Sequence, residues 1–375
     1  MSITVCLTAN TLAYPGAGGH LWVYLNWALG LRAVGCEVIW LEGLPARTKP
    51  KELPELVREL KTRLKRYGLD GQLCLSSWTD EPLPPEICND CLGLEQALEA
   101  DLLLNMSYPI PIVERFRRSA LVDIDPGLTQ LWMSAGQMKV QPHDLYFTIG
   151  ETVGQSGSLF PDCGLTWHYT PPPIFLPAWP PQPEPPSTAA YTTVTNWWEG
   201  FVEAHGEAYY NGKRFGFLPF LDLPRRTSQP LELAVCLGPK GTDDRLMLKE
   251  HGWRVQEAWE VAPTPWEYQR YIQDSLGEFS CVKPSCVRLQ NAWISDRTLC
   301  YLASGRPAVV QHTGKSRFLP DREGLHRFEN IDEARQCLET VAGDYTHQGE
   351  SARALAEEHF DAQKVLRRVL ETALG

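Results

Sequence analysis

Two cations in this chain stand beside segments suited to gathering anions. Arg297 follows Ser295-Asp296, where the serine hydroxyl can cap a helix and the free amides of the first turn attract negative charge. Lys283 follows the strand-like run Glu278-Phe279-Ser280. Beyond that helix, Thr313, Gly314, Lys315 and Ser316 offer hydroxyls and unobstructed backbone amides of the kind that cradle phosphate groups. The competing role for Arg297 is an ion pair with Asp296 or with a residue of a neighbouring domain. In the first half, Gly18-Gly19 leads into His20, whose imidazole titrates near neutrality and is a usable base. Its alternative is helix capping or loop packing. Asp123 and Asp125 flank Ile124; the first suits loop fixing through backbone amides, the second proton transfer.

These residues need rigid elements behind them. The Ser295 helix should stop at Gly305, where a left-handed turn is easy, and Pro307 blocks its continuation. Ala308-Val309-Val310 then reads as a strand covered on both faces, with Gln311 to Lys315 at its carboxyl end, where ligands of α/β sheets bind. The N-terminus repeats that logic as strand Ile3–Leu7, glycine turn Ala13–Gly19, helix His20–Ala33 and strand Glu37–Leu41. Further buried-type strands are predicted at Asp101–Asn105, Ala120–Ile124 and Asp144–Gly150, implying a parallel sheet. Tyr169 to Thr188 holds nine prolines and cannot be a central strand, so the domain crossover is placed there. Strand patterns resume at Ala190–Val194, Leu231–Leu237 and Trp253–Val255, and helices close the chain over Ile331–Val341 and Ser351–Leu374. The expected domains are 1–170, a linker 171–188, a second domain 189–350, and terminal helices 351–375.

Bulk properties narrow the partners. The 375 residues include 43% apolar types, enough for two ordinary cores, and the net charge of −11 opposes a general nucleic-acid surface. It leaves room for a small basic pocket. No apolar run is long enough to cross a bilayer, and Ser2 to Ala9 reads as a strand and not a signal peptide. Eleven cysteines without an export signal suggest a reduced, cytoplasmic protein. Cys88 and Cys91 lack a second pair at zinc spacing, so loop packing is expected there.

Five pieces of the chain together resemble the GT-B class of nucleotide-sugar-dependent glycosyltransferases of bacteria. They are Gly18-Gly19-His20, Asp123 through Gly127, Trp167 with Pro172-Pro173, Gly277 through Ser280 with Lys283, and Trp293 through Gly314 with Gly324-Leu325. The resemblance implies two Rossmann-like domains facing across a cleft, with the final helix crossing back onto the first. It implies an acceptor held by the first domain and a nucleotide-diphosphate sugar held by the second. In that frame His20 is the candidate base, with Asp125 as rival base or orienting carboxylate. Lys283, Arg297, Thr313, Gly314 and Ser316 would hold the donor diphosphate. Gly18, Gly19, Asp123 and Trp197 would contact acceptor or sugar, Trp197 offering an aromatic face. Transfer is expected without metal or cofactor, onto a small-molecule or glycan hydroxyl. The chain lacks the glutamates seven residues apart found in many retaining members, and the stereochemical course stays open. So do two competing functions: a sugar-nucleotide epimerase, and a non-catalytic protein that binds a nucleotide or a partner.

Overall fold

The computed structural model describes residues 2–44, 52–78, 83–204, 206–319 and 321–375. Seven strands form one sheet: β1 (Thr4–Ala9), β2 (Glu37–Leu44), β3 (Leu73–Ser77), β4 (Leu102–Asn105), β5 (Ser119–Asp123), β6 (Leu145–Thr148) and β7 (Trp167–Tyr169). Their spatial order is β3-β2-β1-β4-β5-β6-β7, and every neighbouring pair is parallel. Val5, Cys6 and Leu7 of β1 are wholly buried, as a strand covered by helices on both faces requires.

The second half repeats the plan. After β8 (Tyr191–Asn196) comes an antiparallel hairpin, β9 (Phe201–Ala204) and β10 (Glu207–Tyr210). The sheet then continues with β11 (Leu231–Cys236), β12 (Arg254–Glu257), β13 (Gly277–Ser280), β14 (Ala308–Gln311) and β15 (Leu325–Phe328). Its order is β12-β11-β8-β13-β14-β15, again all parallel. In each sheet the strand order reverses beside the first strand, between β1 and β4 and between β8 and β13. Such reversals open a crevice at the carboxyl ends of the strands.

The two Rossmann-like units are joined by more than the chain. Trp179, in the proline-rich crossover, is fully buried with its ring 4.7 Å from Trp22 and 6.4 Å from Tyr268. The last helix, Ala362–Leu374, returns to the first unit as expected. Ala362 and Leu366 press so closely on Gly30 that a methyl group there would lie 2.5 Å from Leu366 Cδ1. Arg118 Nε donates to the Ala373 carbonyl at 3.0 Å, fixing the end of that helix on the first half. The strands β3, β7 and β15 and the hairpin were not anticipated. Each is short, and the hairpin packs Val202, Ala204 and Tyr209 in one cluster with Leu121, Leu128 and Leu131 of the first unit.

Candidate active site at the paired crevices

The two crevices face one another across a cavity of about 670 Å³. Asn10, after β1, and Met106 to Tyr108, after β4, line it from the first unit. Val194 to Asn196 at the end of β8, Lys283 after β13, and Ser295 to Arg297 line it from the second. A smaller chamber of about 200 Å³ adjoins it, sharing His20, Asp125, Lys283 and Asp296 as wall residues. The structure therefore brings together Gly18, Gly19, His20, Asp125, Lys283 and Arg297, residues up to 279 positions apart in sequence.

Gly18 and Gly19 begin the helix Gly18–Ala33 and are required by close approach. The Gly18 amide donates to the Ala262 carbonyl at 3.2 Å, and a Cβ on Gly18 would strike the Thr264 carbonyl. A Cβ on Gly19 would sit 2.5 Å from the Tyr268 ring. One turn is thus pressed against the second unit, and His20 is carried with it into the cavity wall.

His20 Nε2 lies 3.0 Å from the Asn10 carbonyl, a contact that only the protonated nitrogen can make. That fixes the neutral tautomer with its lone pair on Nδ1. Tyr14 and Tyr24 hold the ring edge-on, with centroids 4.7 and 5.3 Å away. Burial pushes the imidazole pKa down, and the Asn10 carbonyl and the Asp125 charge offset part of that shift. At neutral pH the ring is an uncharged base. Asp125 is placed by Tyr108, whose hydroxyl accepts the Ile124 and Asp125 amides, each at 3.0 Å.

The cations differ from one another. Lys283 Nζ lies 3.2 Å from Glu199 and 3.8 Å from Asp125. Burial alone would lower its pKa, but these two carboxylates hold it above the ordinary value. Arg297 reaches the cavity wall with most of its guanidinium committed. It donates to the fully buried Glu278 at 2.8 Å, to Ser280 Oγ at 2.7 Å and to the Val194 carbonyl at 3.1 Å. Its partner is Glu278, not Asp296 or a residue of the other unit. Ser295 caps the helix Asp296–Ala303 by accepting the Arg297 amide at 3.3 Å, as its type suggested.

Five expectations need correction. Asp123 is fully buried and cannot reach acceptor or sugar. Its carboxylate accepts Thr148 Oγ1 and Gln130 Nε2, both at 2.9 Å, and the Asp125 amide at 3.1 Å. Trp197 is also fully buried, donating its indole N–H to Asp244 at 2.8 Å inside the second core. Thr313, Gly314 and Ser316 lie outside both chambers. Thr313 donates its hydroxyl to the Trp293 carbonyl at 2.6 Å, and Gly314 sits under the Gln290 backbone at φ +119°. Ser316 and the Arg317 amide both donate to Glu151, binding one unit to the other. The glycine loop after β14 is a seam between the units, because its polar groups find protein partners first.

Sequence reasoning missed Tyr108, Glu199 and Asp296 as wall residues. Glu199 follows β8, the strand beside the reversal, and that topology is the signal that would have found it. Behind the wall, Lys213 Nζ donates to the Cys281 carbonyl at 2.6 Å, and burial with the nearby Arg297 charge lowers its pKa to about 7.

No protein-family model matches the chain, and no curated protein is significantly similar to it in sequence. Solved structures do match over its whole length. Anabaena Alr3699/HepE, in complex with UDP-glucose, superposes with a TM-score of 0.61 at 13% identity, covering 99% of each chain. An alpha-glucosyltransferase in complex with UDP and mismatched DNA gives 0.59 at 12% identity and 100% of each chain. A glycosyltransferase from Rickettsia africae gives 0.57 at 11% identity, covering 99% of this chain and 98% of that one. With two parallel sheets of matching order and a helix returning to the first unit, this chain has the GT-B fold that these glycosyltransferases share.

Proposed function

We propose that the chain is a glycosyltransferase that moves a sugar from a nucleotide-diphosphate sugar to an acceptor hydroxyl. The observation that carries the proposal is one cavity lined by a neutral histidine from the first unit and a lysine from the second. The acceptor O–H gives its proton to His20 Nδ1 while its oxygen bonds to the anomeric carbon. The bond from that carbon to the terminal phosphate oxygen breaks, and the nucleoside diphosphate leaves with the electron pair. Lys283 meets its charge, and Asp125 steadies the imidazolium. UDP and UDP-glucose in the complexes of HepE and the alpha-glucosyltransferase support a nucleotide sugar as donor.

The route proposed needs no metal. Asp123 and Asp125 have the spacing of a metal-binding pair, but Asp123 is spent on protein donors. The acceptor is taken to be a small molecule or glycan and not nucleic acid, given the net charge of −11. None of the eleven cysteines is paired, and no described helix is long and apolar enough to cross a membrane; both fit the cytoplasmic location proposed here.

The test is incubation with a panel of nucleotide sugars, with and without acceptors. A transferase releases nucleoside diphosphate in step with acceptor glycoside. An altered nucleotide sugar formed from donor alone identifies an epimerase. Binding without turnover of any kind identifies a non-catalytic protein.

A further inference from the structure

The smaller chamber has a character of its own. It is about 200 Å³, and a cavity of roughly 150 Å³ with apolar walls is enough to hold benzene. Val23 and Trp27 of the first helix, Ile124, Leu128, Ile149 and Trp293 line it, with Pro126, Pro172 and Pro173 beside them. Asn291, the neutral polar residue on this wall, is already engaged. Its Nδ2 donates to the Pro126 carbonyl at 2.7 Å and its Oδ1 accepts the Trp293 amide at 3.2 Å. The ionisable wall residues His20, Asp125, Lys283 and Asp296 all line the larger chamber as well, together with Val23 and Ile124, so the polar side of the space faces the proposed donor.

We infer that the acceptor is a small hydroxyl compound with an apolar, ring-sized body, such as a substituted phenol, and not a free sugar. The inference rests on the transferase proposal and names the substrate class of the same site. The apolar body fills the small chamber and its hydroxyl projects past His20 toward the anomeric carbon. Its proton passes to His20 and its oxygen replaces the diphosphate, as in the general reaction. A monosaccharide has comparable volume but carries several hydroxyls. Each one stranded against Val23, Ile124 or Ile149 without a partner costs about ten-fold in binding or more.

The experiment uses the full chain and the donor selected by the nucleotide-sugar screen. Donor binding is first measured by calorimetry with no acceptor present. Phenol, 4-nitrophenol and benzyl alcohol are then compared with glucose and maltose by mass spectrometry of the glycoside. The expected result is kcat/KM on the order of 100-fold higher for the ring alcohols than for glucose. Ile149→Phe, which fills the chamber, should lower turnover of 4-nitrophenol at least ten-fold while donor affinity stays within about three-fold. Equal or faster transfer to glucose or maltose, or donor binding with no transfer to any ring alcohol, would overturn the inference. Failure to bind any nucleotide sugar would remove the transferase proposal and this inference with it, and it would be seen before an acceptor is added.

Discussion

Lys283 is held between two carboxylates from different halves of the molecule, 3.2 Å from Glu199 and 3.8 Å from Asp125. A cation so placed is a ready counter-charge for a diphosphate, and a ligand that takes it also frees Asp125 toward His20. Lys283→Met should therefore weaken nucleoside diphosphate binding by roughly 10- to 100-fold, the worth of a hydrogen bond to a charged group. Titration calorimetry with UDP and GDP measures it. An unchanged Kd for whichever nucleotide binds the parent would remove Lys283 from the donor site.

His20→Ala should reduce kcat by about 10²- to 10⁴-fold, the usual contribution of a positioned base, with donor affinity retained. The pH profile carries a second signature. Because burial lowers the His20 pKa from its ordinary 6.5, the acid limb of the profile should be centred below that value. An acid limb centred above 6.5 would point to another base.

Gly18→Ala and Gly19→Ala test whether the first turn must touch the second unit. The new methyl meets a backbone carbonyl at position 18 and the edge of the buried Tyr268 ring, a side chain, at position 19. Overpacking of this kind costs about 1–3 kcal/mol, and the alteration at 18 should be the worse because a backbone cannot turn aside. Calorimetric melting temperatures should fall in that order, together with turnover.

Stability should also decline in mild acid. His143 is buried between the Gln141 carbonyl at 2.7 Å and Asn105 Nδ2 at 3.1 Å, an arrangement suited to the neutral ring. Burial lowers its pKa to about 4 from 6.5, so the folded chain binds fewer protons than the unfolded one in that interval. Its contribution is complete above 6.5 and is lost as pH falls toward 4. At 1.36 kcal/mol per unit this is roughly 3 kcal/mol. Denaturant midpoints for the parent and His143→Gln should converge at low pH; parallel curves would contradict it.

A chelator tests the chemistry from another side. With Asp123 occupied by Thr148 and Gln130, EDTA should leave the initial rate unchanged once activity is established. A rate abolished by EDTA and restored by a divalent cation would replace the proposed route.

Periodicity and punctuation made much of the architecture legible in the chain itself. The strand Ile3–Leu7, the glycine turn before His20, the Ser295 cap and the Gly305 stop are local devices, set by backbone geometry and short-range hydrogen bonds, and each is present. The return of the last helix was expected from resemblance, and its anchor on Gly30 was not visible without coordinates. What the folded chain alone decided was which polar groups remained free. Thr313 and Arg297 look equally ready for phosphate in one dimension, but a neighbour 20 residues away takes the threonine hydroxyl and buried Glu278 takes the guanidinium. Trp197 has the type of a sugar platform and became core, because a large apolar ring gains most where water is absent. Partners distant in sequence compete for every donor and every apolar face, and that competition is resolved only when the sheets close on one another.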